Sequence, residues 1–109
     1  MRVQVRLLTA VIGCLFLSMG CGAPPGEVAC NQFKKTIIDW RQGDLNTFEF
    51  RKDLRKVQEK AASAEPEIKV AATTLLRSAN TISEERLEVS IDIMAERCAK
   101  FGYLDQHAF

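Results

Sequence analysis

From Val28 onward the apolar residues recur in steps of three and four. Cys30, Phe33, Ile37 and Trp40 form a first series, and Phe50, Leu54, Val57, Ala61 and Ala64 a second. Ile68, Ala71 or Ala72, Leu75, Ala79 and Ile82 form a third, and Leu87, Ile91, Met94, Cys98 and Phe101 a fourth. Each series covers one side of a 3.6-residue helix, and none alternates with the period of two that a strand needs. The spacing predicts four amphipathic helices.

The residues between the series suit helix ends. Gly43 can close the first helix in a left-handed conformation, with Arg41 near its negative pole. Asn46 can cap the second with Glu49 three residues on, and Leu45 and Phe50 occupy the two positions of a hydrophobic staple. Pro66 fits the first turn of the third, where its missing N–H costs nothing. Thr81 or Ser83 can cap the fourth, Glu84 and Glu85 favour its positive end, and Gly102 closes it. Connections this short make neighbouring helices antiparallel. The expected fold is all-α: a small antiparallel up-down four-helix bundle over residues 28–104, or three long helices plus one short, followed by a tail of 105–109.

A different pattern precedes Val28. Met1 to Arg6 carries two arginines and no acid, and Leu7 to Met19 is apolar apart from Thr9 and Ser18. That is the length of a secretory h-region and too short to span a bilayer comfortably. A buried core helix has similar composition, but the arginines and the abrupt Gly20-Cys21-Gly22 stop favour a signal peptide over residues 1–20. Ser18 and Gly20 have the small-x-small spacing that an ordinary signal peptidase accepts, which would give a secreted protein. Gly20-Cys21 also resembles the lipobox of bacterial lipoproteins, although Ser18 stands where that motif usually has leucine. The resemblance implies that the Cys21 thiol receives a diacylglyceryl group and becomes the new N-terminus. Val11-Ile12-Gly13-Cys14 matches the letters better but leaves an h-region of only Leu7 to Ile12.

The number of cysteines favours lipidation of Cys21. The chain has four; loss of Cys14 with the signal leaves Cys21, Cys30 and Cys98, and an odd thiol outside the cell needs a partner or a modification. If Cys21 is acylated, Cys30 and Cys98 are free to pair in an oxidising compartment. In an up-down bundle the start of the first helix and the end of the fourth share one end, so the two cysteines should converge on the buried stripes. The alternative is two inert buried thiols. Residues 21–27, with two prolines and two glycines between Gly22 and Glu27, read as a tether reaching about 20–25 Å at most. The chain is thus expected to be exported and lipid-anchored at the outer face of the cell membrane.

Charge and chemistry add exclusions. Loss of Arg2 and Arg6 with the signal leaves 13 basic against 14 acidic side chains, a balance that gives no hint of nucleic-acid binding. His107 is the only histidine and lies in the tail, which offers no Ser-His-Asp or Cys-His arrangement. No two cysteines are two residues apart, and no glycine-rich phosphate loop is present. No catalytic residue, cofactor or metal site is expected. The acids Glu84, Glu85, Glu88, Asp92 and Glu96 read as a solvated face, since catalytic carboxylates need shielding. Arg51, Lys52, Arg55 and Lys56 form a basic patch that suits anionic headgroups, though Glu49, Asp53 and Glu59 break it up and favour plain solvation.

Four apolar residues fall off the stripes. Val89 and Ile93 lie opposite Leu87 and Ile91, and Phe48 and Val70 also point away; joined in one patch they would mark a surface for a protein partner or a dimer. Trp40 either plugs the core or fronts a ligand groove with Phe48, the core being the commoner role.

The segments "SMGCGAPPG", "ACNQF" and "AERCAKFG" together resemble the small disulfide-bonded helical lipoproteins of actinobacteria and their phages. Those proteins share a lipobox-like cysteine, a Gly/Pro tether, an Ala-Cys opening the first helix and a lone cysteine near the end of the last. The resemblance implies location and fold but no mechanism. The expected function is a membrane-anchored, non-catalytic binding or structural module with a protein partner in the cell envelope. The alternatives are exclusion of superinfecting phage, and carriage of a small hydrophobic ligand in a cavity near Trp40.

Overall fold

The protein folds into four helices: α1 (Pro25–Arg41), α2 (Thr47–Ala61), α3 (Pro66–Ala79) and α4 (Glu84–Lys100). The structure, a computed structural model, describes residues 22–105. The signal peptide expected over residues 1–20, Cys21, and His107 in the tail lie outside the described residues. With 17, 15, 14 and 17 residues the helices are of similar length, so the bundle has no short member. Among the described residues there is no strand.

Cross-links between elements fix the up-down order. Cys30 near the start of α1 joins Cys98 near the end of α4, and Arg41 at the end of α1 meets Glu88 in the first half of α4. Lys100 at the end of α4 holds Glu67 at the start of α3, and Arg51 of α2 donates to the Ala79 carbonyl at the end of α3. Packing is closest between α1 and α2 and between α3 and α4, and among adjacent helices least close between α1 and α4.

The predicted stripes make the core. Phe33, Ile37, Leu54, Val57, Ile68, Leu75, Ile91 and Met94 are at most 1% exposed. Burial of each such side chain contributes about 1.5–3 kcal/mol, so this interior supplies most of the force that holds the helices together. Thr36 is buried among them, and its hydroxyl accepts a hydrogen bond from Gln32 one turn earlier.

The helix ends follow the expected chemistry. The Asn46 side chain accepts from the Glu49 amide and the Glu49 carboxylate accepts from the Asn46 amide, a complete capping box. Leu45 and Phe50 both pack into the core, as a staple requires. Gly43 and Gly102 have φ of 82° and 77°. At each, two consecutive amides turn back onto the last helical carbonyls, Gly43 and Asp44 onto Trp40 and Asp39, Gly102 and Tyr103 onto Ala99 and Cys98. Ser83, and not Thr81, caps α4. Thr81 instead donates to the Ser78 carbonyl.

Two expectations need correction. The tether expected to run to Glu27 ends at Pro24, because Pro25 takes the first position of α1 and Glu27 lies in its first turn. Proline's fixed φ and absent N–H suit that position. Ile82, expected on the third stripe, is fully exposed because α3 stops at Ala79 and the chain turns before α4.

Candidate functional site

The described surface has two features beyond an ordinary solvated bundle: a tied-down end and a lateral groove. At the tied end, Cys30 and Cys98 are bridged with their Cα atoms 5.9 Å apart, and both are wholly buried. The turn at Gly102 brings Tyr103 back across this end, where its hydroxyl donates to the Glu65 carboxylate. That hydrogen bond holds the phenol above its ordinary pKa, with burial and the negative charges of Glu65 and Glu27 adding to it. Gly26 makes the approach possible. A Cβ there would sit 2.4 Å from Glu65 Oε1 and 2.6 Å from the Tyr103 ring. Beside them, Lys100 donates to both oxygens of Glu67, and this hydrogen bond holds the Glu67 carboxyl below its usual range.

The groove runs between α3 and α4. Its half nearer the tied end encloses about 460 Å³, with Pro66, Val70 and Thr74 on one wall and Ser90, Ile93 and Arg97 on the other. A second recess, also about 460 Å³, continues it past Ser78, Ser83, Arg86 and Val89. Thr74, Ser90 and Ile93 line both, so the two recesses form one trough. Small residues at the seam explain the depression. Ser78 and Ser90 share a hydrogen bond of 2.6 Å, and the buried Ala71 lines the half nearer the tied end. The walls then rise to apolar side chains that stay in solvent, Val70 at 64%, Val89 at 52% and Ile93 at 37% exposure.

The expected patch is therefore formed in part. Val89 and Ile93 stand together on the groove wall, and Val70 joins them from α3. Phe48, although 69% exposed, sits on α2 outside the groove. The serines that make the seam were not singled out in the sequence. The only sequence signal for them is a small polar residue at helical spacing beside a buried stripe, which ordinary surface positions also give.

The remaining candidates resolve into structural roles. Trp40 stacks on Phe50 with ring centroids 4.4 Å apart and planes 12° from parallel, which turns it toward the core. Phe48, two residues before Phe50, lies on the other side of α2, so it does not front a groove with Trp40. In the basic patch, Arg51 closes the end of α3 and Lys56 lies 3.8 Å from Asp53, while Lys52 and Arg55 are solvated. Among the acids, Glu88 pairs with Arg41 and Glu96 with Arg97. No group of three metal-binding side chains occurs among the described residues. None of the helices described is long and apolar enough to cross a membrane.

Compared with family models, with curated proteins and with solved structures, the chain matches none.

Proposed function

We propose that this chain is a lipoprotein anchored through Cys21 at the outer face of the cell membrane, and that it acts without catalysis by docking a protein of the envelope on the α3–α4 groove. The groove carries the reading. Among the described residues a bundle with a filled interior exposes a continuous apolar-walled trough, and such a trough on a small domain fits a partner's side chains.

The linker supports the same placement. If the acyl group is on Cys21, Gly22 to Pro24 reach only about 10 Å before α1 begins. The end of the bundle with the disulfide then faces the bilayer, and the groove opens sideways and runs away from it. A partner standing on the same membrane meets the groove along its length.

Intact-mass measurement of the mature protein tests the anchor. The expected mass begins at Cys21, includes a diacylglyceryl group and lacks two hydrogens for the cystine; an unacylated chain removes the anchor. The docking face is tested by Val89→Asp with Ile93→Asp. Both side chains are exposed, so the helical circular dichroism should persist while recovery of the partner from membranes is lost. Recovery equal to that of the wild type removes the docking face.

A further inference from the structure

Building on the reading of the α3–α4 face as a docking surface, we infer that its occupant is a second copy of this chain, packed parallel along α4 about a two-fold axis. The exposed side of α4 is ordered in three strips. Val89 and Ile93, four residues apart, form an apolar centre. Glu88 and Asp92, four residues apart, follow one edge, and Arg86 and Arg97 follow the other, which borders the groove; Glu85 also reaches the groove, beside Arg86. Glu88 is held by Arg41, whereas Asp92 is exposed and forms no ion pair with any described residue.

An apolar seam with acid on one edge and base on the other is self-complementary in only one direction. In two parallel helices the residue just before one seam position faces, in the other helix, the residue just after the next seam position, five places further on. With Val89 and Ile93 in the seam, Asp92 of one copy meets Arg97 of the second, and symmetry repeats the pair. The Asp92 side chain then enters the second copy's groove, where Arg97 forms part of the wall. Packed antiparallel, the acidic edges would face each other and so would the basic ones. Glu96, the next seam residue, is held by its own Arg97 at 2.7 Å, which balances its charge close to the axis.

The anchor selects the same direction independently. Two copies with Cys21 in one leaflet have their disulfide ends at the same height, as the parallel arrangement requires. Confinement to the membrane also raises the effective concentration, so two apolar contacts and a pair of ion pairs suffice where they would not in free solution.

Charge reversal with rescue tests the pairing in the mature, membrane-extracted protein, using two differently tagged copies expressed together. Wild-type copies should co-purify. Asp92→Arg in both copies, or Arg97→Asp in both, sets like charges together at two places and should cut recovery roughly tenfold. One copy with Asp92→Arg and the other with Arg97→Asp restores opposite charges at both places and should restore recovery. Should a reversal disturb folding, as read by circular dichroism and an intact cystine, Asp92→Asn and Arg97→Gln replace it. The two neutral changes combined should then weaken recovery no more than either alone. Wild-type copies that stay separate, reversals without effect, or a mixed pair that fails to recover each overturn the inference. Copies that stay separate while another envelope protein is lost on Val89→Asp with Ile93→Asp overturn the dimer but keep the docking face. An unacylated mature chain removes the anchor without touching the charge pattern.

Discussion

Glycine 26 and tyrosine 103 are far apart in the chain, yet each is what the other requires. Without a side chain at 26, α1 lets the Tyr103 ring and the Glu65 carboxylate close over the base of the bundle. The phenol must be protonated to donate, and its raised pKa records that preference. A group whose folded pKa is raised contributes stability that is fully present below its unfolded pKa, about 10 for tyrosine, and lost as pH rises through the folded value. Tyr103→Phe should therefore lower the melting temperature at pH 8 and lose part of its deficit above about pH 10. Melting curves followed by circular dichroism from neutral to alkaline pH check this, and a constant deficit across the range contradicts it.

Among the elements, α2 depends most on its own beginning. Its predicted cap is complete, with Asn46 and Glu49 satisfying each other's amides, and no disulfide holds this helix. Asn46→Ala removes the acceptor for the Glu49 amide and should cost about 1 kcal/mol, read as a lower urea midpoint at unchanged slope. A midpoint equal to the wild type would show that the Glu49 amide finds water at no cost. The α3 helix is the contrasting case. Its N-terminus has proline at the first position and no side-chain cap, and the Glu65 that precedes it is engaged by Tyr103. The start of α3 is thus secured by tertiary contacts, among them Lys100 on Glu67.

At the scale of the whole molecule the disulfide is the one covalent tie between described helices. It closes a separation of 68 residues and ties α1 to α4, the neighbours that approach each other least. In the chain-entropy picture such a closure contributes roughly 4 kcal/mol, a large part of what a domain this size holds in total. Replacing Cys30 and Cys98 together by serine should lower the unfolding free energy by about that amount, measured in urea. Because both sulfurs are buried, reductant alone should leave the native bridge closed, and alkylation should appear only when denaturant is added. Ready labelling of both thiols before any reduction would mean that the bridge is absent.

The four helices, their antiparallel order and most of the core were legible in the chain, because amphipathic spacing and short connections leave few ways to bury the stripes. The capping box and the two glycine turns were legible for a related reason: each is a local contract among residues three to five apart. The pairing of Cys30 with Cys98 followed from their positions on buried stripes at one end. Where helix α1 starts was misread, since a Pro-Gly pair looks like a linker until its neighbours are known. The groove and the exposure of Ile82 were decided by the tertiary structure alone. Whether Ser78 and Ser90 sink a seam, and whether Val70 stands beside Ile93, depends on how closely α3 approaches α4, and the helical period of either strand of sequence contains no information about that distance.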